Sequence, residues 1–331
     1  MAPGARSGCR HNQGGYLVLS DMDDHVYAEY RPLMFSIAYR MTGSVGDAED
    51  IVQEAFLRAE AASQTASQTS GDAADIDSPK SYLATITTRL AIDHLRSARV
   101  RRESYVGTWL PEPLLTDGGQ GPAERAEMSD SLSMAFLVLM ESLSPAERAV
   151  FLLREVFGYD YEEIAAATGR SQASCRQLFA RARRAVDTGR PRFGSTRADA
   201  EELTGIFLDV ANGGDISTLI GRLAPDVAFY GDSGGRGEVT FVAPVFGRDR
   251  VMGIIAAQLA RVIKRGAVLS PAALNGQPGF LVYDADGGLV VACVFDILDR
   301  QIQAIRTVAN PDKLRHLGPI SRTWHLRSAD D

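Results

Sequence analysis

Arginine, glutamine and serine side chains recur between residues 171 and 184, and these residue types bind nucleic acids. Arginine and glutamine hydrogen-bond the edges of purines in the major groove, while clustered arginines neutralise phosphates. Helical periodicity points five of these side chains outward: Gln172, Ser174, Arg176, Gln177 and Arg181. Arg183 and Arg184 follow and extend the positive charge. The segment therefore predicts contacts to both the bases and the backbone of duplex DNA.

Two short helices must position these side chains. The first runs from Tyr161 to Thr168, Gly169 permits a tight turn, and Ser171 caps a second helix that extends to about Val186. The second helix has an inner apolar stripe, which consists of Cys175, Leu178 and Ala182. This pattern predicts a helix-turn-helix whose second helix enters the major groove. A bundle helix with a solvated basic face is the alternative interpretation.

Charge is unevenly distributed along this chain, whose net charge is −7. Residues 165–197 hold eight arginines and one aspartate, and residues 80–102 hold six basic residues and one aspartate. Two basic modules joined by a flexible linker favour a protein that binds two separated DNA sites. Residues 42–78 hold eight acidic residues and one arginine, so this segment cannot face DNA. It requires a protein partner or plain water.

Helical patterns fill residues 24–60, with a break at Thr42-Gly43-Ser44. The second of these helices has one apolar stripe, made of Ala48, Ile51, Val52, Ala55, Phe56 and Ala59. Its other side is acidic. The polar segment Ala61 to Ser78 predicts a mobile loop, after which Ser78-Pro79 begins a helix that reaches about Arg102. Residues 103–127 read as a linker, and Ser144 to Glu147 predicts another helix start.

The composition changes after about residue 197. Five β-like runs follow: DVAFYG, VTFVAPV, GFLVYD, LVVACVFDI and IQAIRTV. Asp286-Gly287-Gly288 predicts a hairpin, and helical patterns cover residues 199–211 and 248–263. These features predict a separate α+β domain.

Other function classes lack their signatures. Cys9, Cys175 and Cys293 lie far apart, which fits a reducing cytoplasm and argues against a disulfide scaffold or a zinc site. No apolar run approaches the roughly 18 residues of a membrane helix. The sequence contains no GxxxxGK[ST] or HExxH motif and no Rossmann glycine turn. No cofactor, metal or membrane partner is therefore expected, and the expected location is the cytoplasm.

Three segments in this order resemble regions 2 and 4 of the extracytoplasmic-function (ECF) sigma factors of bacterial RNA polymerase. They are GSVGDAEDIVQEAFLRA, SYLATITTRLAIDHLRSARVRR and LSPAERAVFLLREVFGYDYEEIAAATGRSQASCRQLFARARR. The linker YVGTWLPEPL and the sequence NPDKL near the end resemble the subgroup with a fused SnoaL-like domain.

The resemblance implies a multidomain fold: two all-α sigma domains and an α+β cone of the NTF2-like, or SnoaL-like, type. The implied boundaries are a disordered extension (1–21), region 2 (22–102), the linker (103–127), region 4 (128–193), the SnoaL-like domain (198–317) and a tail (318–331).

The resemblance also implies partners, core RNA polymerase and promoter DNA, and residues that bind them. The polymerase-binding set is Asp47, Asp50, Gln53, Glu54 and Arg58. The minus-ten set is Tyr82, Arg89, Arg96, Arg99, Arg101 and Arg102, where Arg89 departs from the family's frequent Asn. The minus-35 set is Ser171, Gln172, Ser174, Arg176, Gln177, Arg181, Arg183 and Arg184.

A last implied set regulates the sigma factor in cis through contacts between the linker, a loop and the tail. It consists of Trp109, Leu110, Pro111, Glu112, Pro113, Leu114, Asp232, Gly234, Gly235, Arg236, Asn310, Pro311, Asp312, Lys313 and Leu314. The loop Asp232 to Arg236 departs from the subgroup's usual DGGGK.

Enzymes share the cone fold, and an enzyme of that type needs an acid or base inside an apolar cavity. Tyr230, Asp232 and Asp296 are the candidates, with structural or surface roles as the alternative. Whether a small ligand enters the cone stays open. Two other functions stay open as well: a helix-turn-helix repressor that never binds polymerase, and a small-molecule enzyme or sensor.

Overall fold

A computed structural model describes residues 17–18, 24–69, 75–76, 78–103, 105–116, 131–189, 197–235 and 243–321. The described residues fall into two compact units. The first unit lies within residues 1–42, 47–95 and 149–179, and the second within residues 43–46, 96–148 and 180–331.

Three helices form the amino-terminal bundle: α1 (Asp24–Thr42), α2 (Val45–Thr69) and α3 (Pro79–Glu103). Met34, Val52 and Leu83 contribute one buried side chain from each helix to its core. Ile86 and Leu90 of α3 pack against this core. The helix pattern read from the sequence is therefore confirmed.

Two details of this region differ from expectation. Helix α2 continues to Thr69, although the sequence from Ala61 onward predicted a loop. Three alanines and two glutamines lie among the nine residues of this extension, and these residue types support helix propagation from the stable turns before it. Leu17–Val18 (β1) lies within the extension expected to be disordered, and it pairs antiparallel with Asp75–Ile76 (β2). The remaining residues of 1–23, and 70–74 and 77, lie outside the described residues.

The second helical segment contains α4 (Met134–Met140), α5 (Pro145–Phe151), α6 (Tyr161–Thr168) and α7 (Gln172–Gly189). A π-helical turn, Leu152–Val156, continues α5. Ser144 and Glu147 exchange hydrogen bonds at the start of α5, which is the predicted capping box. Residues 117–130 lie outside the described part. They hold the end of the predicted linker and the predicted start of region 4 at residue 128.

The carboxyl-terminal domain is built on a six-stranded mixed sheet in the order β4-β3-β8-β7-β6-β5. The strands are β3 (Leu223–Asp232), β4 (Val245–Phe246), β5 (Val268–Leu274), β6 (Gln277–Tyr283), β7 (Leu289–Leu298) and β8 (Gln301–Val308). Its helices are α8 (Arg197–Ala211), α9 (Ile216–Arg222) and α10 (Arg248–Lys264), and two 3₁₀ turns follow, Pro311–Lys313 and Arg315–Leu317. This is the predicted α+β cone, with the predicted hairpin between β6 and β7.

The sheet buries both of its faces. Phe207 of α8 packs against Phe280 and Phe295 of the sheet, within an apolar core shared with α9 and α10. The other face is covered by Leu110 of the linker and Met134 of α4, which pack in a second cluster with β6, β7 and β8. The linker and the first helix of the region 4 segment are therefore part of the core of this unit.

Candidate nucleic-acid and polymerase interfaces

Helix α7 places the predicted DNA-reading side chains on its exposed side. Cys175, Leu178 and Ala182 are buried, at 0%, 5% and 0% exposure, as the inner stripe predicts. Gly169 has a φ of +65°, which closes the turn between α6 and α7 at low cost for glycine. The outward positions are all exposed except Ser174, which is half-buried. The helix-turn-helix read from the sequence is thus present with its polar face open.

Several of the basic side chains on this face have local partners. The Arg176 guanidinium donates to the side-chain amide oxygen of Gln172 at 3.2 Å. It also lies 5.0 Å from the centre of the Tyr161 ring. Arg181 lies 3.1 Å from Glu147, and Arg183 lies 3.8 Å from Asp187. Both arginine side chains are exposed, at 59% and 55%, and ion pairs at such positions are weak, so phosphates can compete with the carboxylates.

The acidic face of α2 is exposed as predicted. Asp50, Gln53, Glu54 and Arg58 are exposed, and Asp47 is half-buried within 3.1 Å of His94. Leu57 lies among them with 54% of its surface exposed. Sequence reasoning missed Leu57, although its spacing from Gln53 (i+4) and from Glu54 (i+3) could have revealed it. A leucine surrounded by carboxylates gives this face an apolar centre with a charged rim.

The basic face of α3 is only partly exposed. Tyr82 is half-buried, whereas Arg89 and Arg96 are exposed. Arg89 donates to the carbonyl oxygens of Ala166 and Ala167 at 2.6 and 3.2 Å. The side chains of Arg99, Arg101 and Arg102 lie outside the described residues.

A buried ion pair joins the linker, the loop and the tail of the carboxyl-terminal unit. The Lys313 ammonium lies 2.6 Å from the Asp232 carboxylate, with side-chain exposures of 9% and 0%. The rings of Tyr105 and Trp109 lie 4.8 and 4.4 Å from that ammonium. Cation–π contacts of this kind strengthen when water is excluded. The three segments that the resemblance predicted to meet do contact one another.

Hydrogen bonds from the linker complete this cluster. Asp232 accepts from the Leu110 N–H at 2.8 Å and from the Tyr105 hydroxyl, while Lys313 donates to the Leu110 carbonyl. Asn310 donates to the Tyr105 oxygen at 3.0 Å. Burial, together with the Asp232 carboxylate, raises the pKa of Tyr105, so its hydroxyl stays a donor. Sequence reasoning did not include Tyr105 among the regulatory residues, although it opens the linker motif.

Glycines of the loop allow close approach to this cluster. A Cβ on Gly234, whose φ is +60°, would lie 2.5 Å from the Asn310 amide nitrogen. A Cβ on Gly235 would lie 3.0 Å from Val106. Leu314 is fully buried in the second core cluster, and Asp312 pairs with Arg315 on the surface. Arg236 lies outside the described residues.

The rest of the linker motif is fixed by backbone contacts. Leu114 donates to the Asn275 side chain at 2.9 Å, and its carbonyl accepts from the Asn275 N–H at 2.7 Å. The Pro113 carbonyl oxygen lies 2.7 Å from Nε2 of His316. Pro111 is buried. Asn275 and His316 were not predicted from the sequence.

Glu112 caps the amino terminus of α2. Its carboxylate accepts from the Val45 N–H at 2.7 Å, from the Gly46 N–H at 3.3 Å and from the Ser44 hydroxyl at 2.9 Å. A carboxylate in this position satisfies free helical N–H groups and complements the helix dipole. The linker therefore contributes directly to the helix that carries the acidic face.

Replacing Glu112 with alanine leaves those N–H groups to water, and we expect the free energy of unfolding to fall by about 1 kcal/mol. Urea denaturation followed by circular dichroism measures the change. Glu60→Ala is the control, because Glu60 is exposed on the same helix and bonds only Gln64 among the contacts described. An equal loss of stability in the two variants would contradict the capping role of Glu112.

The candidate acid/base residues of the carboxyl-terminal domain are paired. Asp296 is buried with Arg306 as its ionic partner, and it accepts from the Gln277 amide at 2.6 Å. Arg306 also lies 4.7 Å from the Tyr230 ring, and Asp232 is held by Lys313. None of the three faces the aromatic core between the sheet and its helices, whose members are all apolar among the described residues.

These features define a class of protein: two helical DNA-binding modules, one with an acidic face, joined to a sheet domain that packs on the linker. Family models agree with this division. Residues 26–101 match sigma-70 region 2, and residues 133–186 match sigma-70 region 4. Among the described residues, no helix combines the length and the apolar character needed to cross a membrane.

Known proteins match the chain over nearly its full length. It is 35% identical to the ECF RNA polymerase sigma factor SigJ of Mycobacterium tuberculosis, across 93% of this chain and all of the relative. It is 33% identical to the probable ECF sigma factor SigI of the same species, across 86% of this chain and 92% of the relative. The crystal structure of SigJ matches with a TM-score of 0.66 at 32% identity, across 88% and 97% of the two chains. The chain belongs to the ECF family of RNA polymerase sigma factors, which act in promoter recognition and transcription initiation.

Proposed function

We propose that this sigma factor binds core RNA polymerase through the exposed face of α2 and reads promoter DNA with α3 and α7. Clustered carboxylates around Leu57 on α2 suit a basic partner helix, because complementary charge steers association and the apolar centre adds affinity. The basic face of α7 suits the major groove of the minus-35 element, and α3 suits the minus-ten strand. The observation that carries this assignment is the pairing of an acidic face with two separate basic helices in one chain.

We propose further that the carboxyl-terminal domain tunes sigma activity in cis by holding the linker. Lys313, Asp232 and Leu110 support this, because the linker backbone is bonded to a buried ion pair of the domain. A held linker restricts how region 2 and region 4 are placed along polymerase. The domain would do no covalent chemistry in this role, since the candidate carboxylates Asp232 and Asp296 are already ion-paired.

Phosphate-binding arginines of α7 have a measurable signature. We expect Arg183→Ala to weaken promoter binding equally for specific and scrambled duplexes, and to reduce the slope of log K against log salt by about 0.9. Fluorescence anisotropy across a series of salt concentrations measures both quantities. Gln177→Ala is the matched comparison, because loss of a base contact should weaken only the specific duplex. Identical salt slopes for wild type and Arg183→Ala would contradict the phosphate contact.

Run-off transcription with core polymerase tests the proposed function as a whole. The predicted result is transcription from defined start sites only when the chain is added, with a different yield when the contact between Lys313 and the linker is broken. A chain that neither binds core polymerase nor supports transcription would contradict it.

A further inference from the structure

The predicted minus-ten face of α3 is in contact with α6, the first helix of the helix-turn-helix. Ser81 donates to the Glu163 carboxylate at 3.1 Å, two turns before Arg89 donates to the carbonyls of Ala166 and Ala167. All of these residues belong to the first compact unit. The contact therefore spans two segments that the family models place in region 2 and region 4.

Arg89 occupies a favourable electrostatic position in this contact. The last carbonyls of a helix are without intrahelical donors and carry the negative end of the helix dipole. A guanidinium supplies two donors in a fixed geometry and satisfies both oxygens at once. While these bonds last, two of the donors of Arg89 are directed at α6 and are not available to a DNA phosphate.

A cleft that opens to solvent lies between α3 and α6. Its volume is about 330 Å³, and Tyr82, Thr85, Tyr159 and Ala166 are among the residues that line it. The Tyr159 hydroxyl is buried beside it without a hydrogen-bond partner among the described residues. An interface held by a few polar contacts beside an open cleft can separate at a small cost in free energy, because each hydrogen bond contributes only a small net free energy.

We propose that Arg89 is a latch between α3 and α6, which holds a closed state in which Arg89 is engaged by α6 instead of by the minus-ten strand. The inference rests on the proposed function, since it assigns the regulation of the same α3 surface. Binding the minus-ten strand requires Arg89 to leave the carbonyls of Ala166 and Ala167. Opening of the closed state then frees α3 from α6.

Chemical crosslinking of the full chain tests the latch without DNA or polymerase. Cysteines replace Thr85 and Ala166, which line the same cleft, in a Cys9→Ser background where Cys175 and Cys293 are buried. A reducible bis-maleimide should link the pair, and Arg89→Glu should slow crosslinking by about tenfold, because a carboxylate would repel the carbonyls. Lys80→Glu is the matched control, since it makes the same charge change on an exposed residue of α3 and should crosslink at the wild-type rate.

A second measurement links the closed state to DNA. The crosslinked chain should bind a single-stranded minus-ten oligonucleotide about tenfold more weakly, and reduction of the crosslinker should restore binding. Equal crosslinking rates for Arg89→Glu and the unsubstituted chain would overturn the latch, as would full DNA binding by the crosslinked chain. The crosslinking rate does not depend on sigma activity, so failure of the latch and failure of the proposed function give different results.

Discussion

Replacing Lys313 with methionine is expected to lower the free energy of unfolding of the carboxyl-terminal domain by about 3–5 kcal/mol. The variant leaves the Asp232 carboxylate, which is 1% exposed, buried without its cation. Breaking one partner of a buried ion pair has a cost of this size, because the remaining charge keeps its desolvation penalty. Loss of the Lys313 contact to the Leu110 carbonyl adds to the effect. Thermal and urea denaturation of the full chain measure the change.

Controls separate this effect from a general loss of charge. Arg315→Met removes a basic residue two positions away whose partner, Asp312, is on the surface, and it should cost less than about 1 kcal/mol. The double variant Lys313→Met with Asp232→Asn removes both charges, and it should recover part of the stability lost in the single variant. A Lys313→Met chain as stable as Arg315→Met would contradict the buried pair.

Lys313→Met also tests whether the carboxyl-terminal domain tunes sigma activity in cis. If the domain acts by holding the linker, Lys313→Met should change the yield of run-off transcription while the amount of chain bound to core polymerase stays the same. Proteolysis within residues 105–116 should also become faster than in wild type, since local opening precedes cleavage. Unchanged transcription together with faster proteolysis would separate the linker contact from regulation and contradict tuning in cis.

Reversing charge on α2 should have the largest effect on polymerase binding. Asp50→Lys with Glu54→Lys places two positive charges on an exposed face predicted to meet a basic partner helix, and we expect affinity for core polymerase to fall at least about 100-fold. Glu60→Lys, further along the same helix and not among the predicted polymerase-binding residues, should have a much smaller effect. Co-purification and fluorescence titration with core polymerase provide the measurement.

Leu57 provides a second test of the proposed polymerase interface on α2. Leu57→Ala removes the exposed apolar centre without changing charge, so it should weaken binding while leaving its salt dependence unchanged. The charge-reversal variant should alter the salt dependence. Normal binding of core polymerase by both variants would contradict the proposal that this face of α2 is the polymerase interface.

Local patterns predicted most of the helices and the strands with regular alternation. The stripe of Cys175, Leu178 and Ala182 established both the helix and its buried side, because one face of α7 is apolar throughout. Strand β5 was missed, since Pro271 and two alanines weaken its pattern; proline fits there because β5 lies at the sheet edge. Asn275-Gly276, whose φ angles are both positive, was the available hairpin signal.

Contacts between distant segments were beyond the sequence pattern alone. The meeting of the linker, the loop and the tail came from family resemblance, whereas the ion pair of Asp232 and Lys313 required coordinates. Nothing in the spacing around Arg89 indicated that its donors would bond α6. An exposed arginine on a helix can donate hydrogen bonds to DNA, to protein or to water. Partner choice for such side chains depends on tertiary structure.

Run-off transcription with core polymerase on a pool of genomic promoters is the most direct test of sigma activity and of its tuning in cis. Three chains are compared: wild type, Lys313→Met, and Asp50→Lys with Glu54→Lys. Specific transcripts are expected from wild type, a changed yield of the same transcripts from Lys313→Met, and none from the charge-reversal chain. Absence of transcripts and of core binding for wild type would contradict sigma activity, and equal yields from all three chains would contradict both the polymerase interface and the tuning in cis.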